Sequence, residues 1–127
     1  MILDTCALLW IAGGAPADRI SARTLDLIDK APVVYVSAIS GFEIGTKVSS
    51  DKLILPAPPS EWFDAVLHFH HIQPLDLSLD LCLRAADLPK IHKDPCDRFI
   101  IATALMMGMP VVTSDSRFRD YGVNVLC

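Results

Sequence analysis

No C-x-x-C pair and no zinc-type spacing joins Cys6, Cys82, Cys96 and Cys127, so the sequence offers neither a zinc-binding ribbon nor a disulfide framework. The four thiols read as reduced, cytosolic cysteines. Basic residues are in short supply as well. Eleven Lys plus Arg against 15 Asp plus Glu give a formal net charge of −4, which excludes a protein that grips nucleic acid with a broadly basic surface. No apolar run approaches the roughly 20 residues that cross a bilayer. The stretch from Cys6 to Ala12 is short, has no basic segment ahead of it and follows an acid, so neither a membrane span nor a secretory leader is expected. Gly13-Gly14 has no downstream Lys or glycine spacing for a phosphate loop, and the serines form no nucleophile elbow. These absences leave a soluble, cytoplasmic protein. Its 52% hydrophobic content supports one domain over residues 1–127, with a core that needs no covalent or metal staple.

Short β-branched runs alternate with longer helical stretches, which predicts an α/β domain around a parallel sheet. Residues 1–4 form a brief first strand, and Thr5 is placed to cap a helix through Ala12, broken by Gly13-Gly14-Ala15-Pro16. Ser21 opens a second helix with Leu25 and Ile28 on one face. Val33-Val34-Tyr35-Val36 is nearly continuous in apolarity, as suits a strand covered on both faces. A helix over about 39–48 follows. Three prolines between Asp51 and Pro59 then forbid regular structure. Further helices are expected over 62–70, over 77–88 and from Asp94-Pro95 to Gly108, with Asp94 as N-cap and Pro95 at the first helical position. Short strands are expected at 72–75, 111–112 and 123–126, the last at an edge.

Four acids stand where apolar elements begin or end. Asp4 follows Met1-Ile2-Leu3, and Glu43 lies beyond the strand that ends at Val36. Asp97 precedes Phe99-Ile100-Ile101-Ala102, and Asp115 follows Val111-Val112. Acids so distant in sequence converge only through the fold, and converged carboxylates repel unless a hard cation with oxygen ligands sits among them. Setting these four aside leaves as many acids as the 11 Lys plus Arg, so the remaining surface is near neutral with room for local basic patches.

Three of the four acids, Asp4, Glu43 and Asp97, also have a purely structural reading. Asp4 is a strand-to-helix turn residue able to cap the next helix. Ser40-Gly41-Phe42-Glu43 matches a capping box. Asp97 suits the dipole of a helix start, although it shares a face with Ile101, Ala104 and Leu105, where an acid needs a partner. Their joint placement favours metal-dependent phosphoryl chemistry. His68, His70 and His71 point in different directions on a helix and read as solvated or as partner contacts. Lys47, Lys52, Lys93 and Arg98 lie close in sequence to the acids, where one or two are placed to steer phosphate.

These residues resemble the PIN-domain family, in particular the VapC-type toxins of toxin–antitoxin pairs. The matching stretches are Ile2-Leu3-Asp4-Thr5 with Ala7-Leu8-Leu9-Trp10, Val36-Ser37-Ala38-Ile39-Ser40 leading to Glu43-Ile44, Asp94-Pro95-Cys96-Asp97-Arg98 with Ile101-Ala102-Thr103-Ala104, Val111-Val112-Thr113-Ser114-Asp115, and Tyr121-Gly122-Val123. The resemblance implies a three-layer α/β/α sandwich with a central parallel sheet of four to five strands. It also implies a Mg²⁺- or Mn²⁺-dependent endoribonuclease that cleaves RNA by metal-activated water, leaving 5′-phosphate and 3′-hydroxyl ends. Its metal and catalytic quartet falls on Asp4, Glu43, Asp97 and Asp115. Asp94 falls on an accompanying acid that caps or supports, and Thr113 or Ser114 on a small hydroxyl position beside the ligands. A homodimer and a separately encoded VapB-like antitoxin are implied partners. The sequence departs from the family pattern at Cys6, Gly41-Phe42 and Cys96. Two of these departures put thiols beside the site and suggest oxidation sensitivity there.

Two other readings compete. One is a PIN-fold module that binds RNA or antitoxin with little or no nuclease activity. The other is a phosphatase-like hydrolase with Asp4 as nucleophile, for which the sequence shows no second nearby Asp and no clear catalytic Lys. Trp62, Phe63, Val66, Leu67 and Phe69 crowd one short helix beyond what a single buried stripe needs. That surplus predicts a covering chain, a second copy or the antitoxin.

Overall fold

A computed structural model of the chain describes residues 1–14 and 19–127. Five short strands, β1 (Ile2–Leu3), β2 (Val34–Ser37), β3 (Ile72–Leu75), β4 (Val111–Val112) and β5 (Val125–Leu126), form one sheet in the order β3-β2-β1-β4-β5. Every neighbouring pair is parallel. Successive strand residues point to opposite faces, and here both faces are covered. Leu3, Val34, Val36, Ile72 and Val112 pack with Ala7, Leu8, Ile44 and Trp62 on one side. Ile2 and Val111 pack with Ile100, Ile101, Ala104 and Phe118 on the other. The first side takes α1 (Thr5–Leu9), α2 (Ala22–Lys30) and α4 (Pro59–His70), the second α6 (Pro95–Met107) and a 3₁₀ turn at Ser116–Tyr121. The result is the expected α/β/α sandwich.

Local chemistry sets the ends of the helices, and three expectations need correction. Thr5 does not cap α1. Asp4 does, accepting from Ala7 N at 2.8 Å, and the helix passes at Trp10 into a wider turn that runs to Gly14, with Gly13 at φ 94°. The rest of the proposed break, Ala15-Pro16, lies outside the described residues. The capping box at Ser40 does not form either, because α3 (Ala38–Ser49) starts directly after β2. Ser37 is its cap, accepting from Ile39 N at 3.1 Å, and Ser40 is already inside the helix. Finally, α4 uses most of its apolar side chains internally. Trp62 is buried, and Phe63, Val66 and Leu67 pack half-buried against the core, which leaves Phe69 exposed. The remaining helix, α5 (Leu79–Asp87), packs Leu81 and Ala85 against Ala102 of α6.

Candidate metal centre

The strand order reverses direction of growth between β1 and β4, the point at which open parallel sheets offer a crevice beyond their carboxyl ends. Asp4 is the first residue beyond β1, and its amide donates to Val112 O of β4 at 3.0 Å. Asp115 stands three residues beyond the end of β4, Glu43 one turn into α3, and Asp97 in the first turn of α6. The structure brings all four together. Asp4 feels the charges of Glu43 and Asp115, and Asp97 feels those of Asp4, Glu43 and Asp115.

Electrostatics records how crowded this edge is. Burial raises the Asp4 carboxyl above its usual range, opposed by the Thr113 hydroxyl and the Ala7 amide and reinforced by Glu43 and Asp115. Asp97 is pushed up to about 7 by burial, then by Asp94, Asp4, Glu43 and Asp115. Asp115 goes the other way, to about 2, because the Arg117 guanidinium hydrogen-bonds it. That pairing is a fork, with Arg117 Nη2 at 2.7 Å from Oδ2 and Nε at 3.0 Å from Oδ1. Glu43 is held at both oxygens, by the Thr5 hydroxyl at 3.0 Å and by Lys47 Nζ at 3.1 Å. Thr5 is itself fixed by Ser40 at 2.8 Å.

Supporting positions sort by what they touch. Asp94 caps α6 by accepting from Cys96 N at 2.9 Å. Thr113 is buried, favours the ionised form of Asp4 and accepts from Asp115 N at 3.0 Å. Ser114 is exposed, so the hydroxyl position is filled by Thr113. Arg98 is not available for phosphate. Its guanidinium donates to the carbonyls of Ala85, Leu88 and Pro89 at 2.9, 2.7 and 2.9 Å, which ties the end of α5 and the loop after it to α6. Both thiols near the acids are driven toward the neutral form. Burial and Asp4 raise Cys6, and burial followed by Glu43 and Asp94 pushes Cys96 up to about 11. Oxidation proceeds through the thiolate, so the expected redox sensitivity of this edge is weakened.

Two side chains that sequence reasoning passed over stand at the centre. His92, 3% exposed, places Nε2 at 2.9 Å from Asp97 Oδ2 and 3.0 Å from Asp115 Oδ2. One ligand atom from each of these three residues lies within 4.8 Å of the others. Arg117 is the other. The available signals were the position of His92, two residues ahead of Asp94-Pro95, and the opposite charge of Arg117 two residues after Asp115. A cleft of about 600 Å³ of mixed polarity, lined among others by Trp10, Ile28, Asp29, Phe69, His70 and Ile72, contains none of the four candidate acids. It opens at the amino ends of β2 and β3, the opposite end of the sheet.

Comparison with known proteins agrees with this architecture. The family description of the PIN domain matches residues 1–124. The chain is 29% identical to Ribonuclease VapC22 of Mycobacterium tuberculosis over 122 residues, 95% of this chain and 91% of that protein. Among solved structures it is similar to a chain of VapBC2 from Rickettsia felis, determined bound to a DNA fragment from its promoter. There the TM-score is 0.72 at 18% identity, covering 98% of this chain and 95% of that one. A chain of a toxin–antitoxin complex from Klebsiella pneumoniae superimposes with a TM-score of 0.66 at 15% identity, covering 99% and 95%. With the family match running almost end to end over a fold of the same kind, the chain belongs to the PIN-domain family.

Proposed function

We propose that this protein is a divalent-metal-dependent endoribonuclease toxin that is inhibited by a VapB-like antitoxin and self-associates as a homodimer. The observation that carries the reading is the meeting of Asp4, Glu43, Asp97 and Asp115 at the crevice end of the sheet, where burial first and the neighbouring carboxylates second push Asp97 up to about 7. Similarity to a named ribonuclease and to chains from toxin–antitoxin complexes supports the toxin assignment.

The donor set fits a hard cation. It consists of carboxylate oxygens, the preferred ligands of Mg²⁺ and Mn²⁺, and their mutual repulsion is what such an ion relieves. Asp4, Asp97, Asp115 and Glu43 would hold it. When bound, the ion supplies Lewis acidity toward a phosphodiester and its attacking water. The chain's own residues keep the acids in place. Thr113 steadies Asp4, Thr5 and Lys47 hold Glu43 at both oxygens, and Arg117 grips Asp115. Arg117, with its side chain 57% exposed, is also placed to meet a phosphate backbone. The open edge suits single-stranded or looped RNA, because a duplex hides its bases in a deep groove.

The test is RNA cleavage by the purified chain with Mg²⁺ or Mn²⁺, with EDTA, and by Asp97→Asn. Metal-dependent cleavage leaving 5′-phosphate ends, abolished in a folded Asp97→Asn, is expected. Cleavage indifferent to EDTA would overturn the metal requirement. No cleavage of any RNA by a folded, metal-loaded chain would leave the binding module as the better reading.

A further inference from the structure

We propose that His92 is a positioning residue that holds Asp97 and Asp115 at a fixed separation by donating its Nε2 proton between them, and does not itself ligate the cation. This rests on the metal reading above and deepens it. The geometry that assigns the role is at the far side of the ring. Nδ1 accepts the Asp94 amide at 3.2 Å, so Nδ1 carries a lone pair and the ring proton belongs on Nε2. Nε2 is then a donor, hydrogen-bonded to Asp115 Oδ2 at 3.0 Å and lying 2.9 Å from Asp97 Oδ2. A protonated nitrogen has no lone pair for a metal. Taken as three potential ligands, His92, Asp97 and Asp115 form a mixed nitrogen and oxygen site that suits Zn²⁺ or Ni²⁺. Taken as a donor between two acceptors, His92 leaves a site of oxygens alone.

The ring is not free to exchange one role for the other. Its backbone amide donates to the Tyr121 hydroxyl at 2.7 Å, and that hydroxyl donates to Pro89 O at 2.7 Å. Phe118 packs edge-on against the imidazole, with centroids 5.9 Å apart and planes at 78°. Turning Nε2 toward a cation would cost the Asp94 amide its acceptor at the start of α6, where that residue is the N-cap. Outer hydrogen bonds that orient ligating groups typically tune metal affinity by about 10- to 100-fold, which sets the effect to expect.

The experiment uses the full chain without an affinity tag. Long-range ¹H–¹⁵N correlation spectra of ¹⁵N-histidine protein should show His92 as the Nε2–H tautomer both before and after Mg²⁺ is added. Calorimetric titration with Mn²⁺ should show affinity weakened about 10- to 100-fold in His92→Ala. His92→Gln, whose amide can still donate to carboxylates, should recover part of the loss. Zn²⁺ affinity should fall by no larger a factor. Asp97→Asn serves as the reference for loss of a ligand, and far-ultraviolet circular dichroism checks the fold of each variant. Should His92→Ala not fold, His92→Gln and the tautomer spectra still decide. Three results would overturn the clamp while leaving the metal reading intact: unchanged Mn²⁺ affinity in a folded His92→Ala, loss of the Nε2 proton on adding Mg²⁺, or a selective collapse of Zn²⁺ binding. A wild-type chain that binds no Mn²⁺ would overturn both.

Discussion

Asp97 carries the sharpest consequence of gathering acids at one edge. Its carboxyl is pushed up to about 7, chiefly by burial and then by its acidic neighbours, whereas in an unfolded chain it titrates near ~3.9. Between those values the folded state holds a proton that the unfolded state has released, so the metal-free protein loses stability as pH rises from about 4 through about 7. Each unit corresponds to about 1.4 kcal/mol, and with the side chain 19% exposed the loss is on the order of 2–4 kcal/mol. Asp115 has the opposite sign, since its lowered carboxyl stabilises the fold above the unfolded value and that contribution disappears as pH falls toward about 2. Urea denaturation at pH 5 and pH 8 should therefore show wild-type protein weaker at the higher pH and Asp97→Asn with a smaller loss, the remainder coming from Asp4, whose carboxyl burial also raises. Mg²⁺ should restore wild type at pH 8, because the cation competes with the proton for the same oxygens. Parallel behaviour of the two proteins would show that Asp97 carries no such burden. The acids were legible in the sequence because each lies beside an apolar run that the fold must bury. His92 was not, because a lone histidine in a loop has no periodic neighbour to mark its direction, and only the tertiary arrangement reveals that it reaches two carboxylates.

The beginning of α6 shows how residues beside a proposed ligand hold a site without ligating. Asp94 and Pro95 start the helix as their side-chain chemistry predicts, and Asp97 follows in its first turn. Arg98, next along, turns away and caps the carboxyl end of α5, with further bonds to the carbonyls of Ala86 and His92 at 3.2 and 3.4 Å. The loop that carries His92 is thereby stitched to the helix that carries Asp97. Sequence alone placed Arg98 among residues able to meet phosphate, because position along the chain does not say which carbonyls are left orphaned at the end of α5. The capping box at Ser40 failed for a related reason. The motif is real as a pattern, but β2 runs straight into α3, so the cap moves back to Ser37, and Glu43 bonds Thr5 and Lys47 instead of a backbone amide. Arg98→Met should destabilise the protein by about 2–4 kcal/mol, since it strands several carbonyls without donors. Arg98→Lys should recover only part, because one ammonium cannot span so broad a fan. Equal stability of Arg98→Met and wild type in urea would remove the stitch from the account.

Across the molecule, chemistry and apolar contact occupy separate ground. The carboxylates sit at the carboxyl end of β1 and β4, where the sheet order changes direction, and the cleft beside Phe69 opens at the other end of the sheet. The alternation of short strands with helices made the parallel sandwich legible, and the two-faced burial of β2 was visible in its unbroken apolar run. Which helix keeps spare apolar surface was not, because composition cannot tell a second buried stripe from an exposed one. On α4 the surplus goes into the core and leaves Phe69, at 77% exposure. On α5 it does not. Leu81 and Ala85 face inward, yet Leu79 and Leu83, one turn apart on the helix, remain 76% and 61% exposed. Two large aliphatic side chains on one outward strip of a short helix are the surface that the proposed homodimer would cover. Sedimentation velocity at micromolar concentration should give wild type a mass of about twice the 13.9 kDa chain. Leu79→Glu with Leu83→Glu should return it to a single chain, with the fold and the Mg²⁺ response retained because neither residue touches the acids. If the double variant remains dimeric, the contact lies elsewhere, and Phe69→Glu then tests the cleft end of the sheet in the same measurement. A wild-type chain that sediments as a monomer would exclude the homodimer at that concentration.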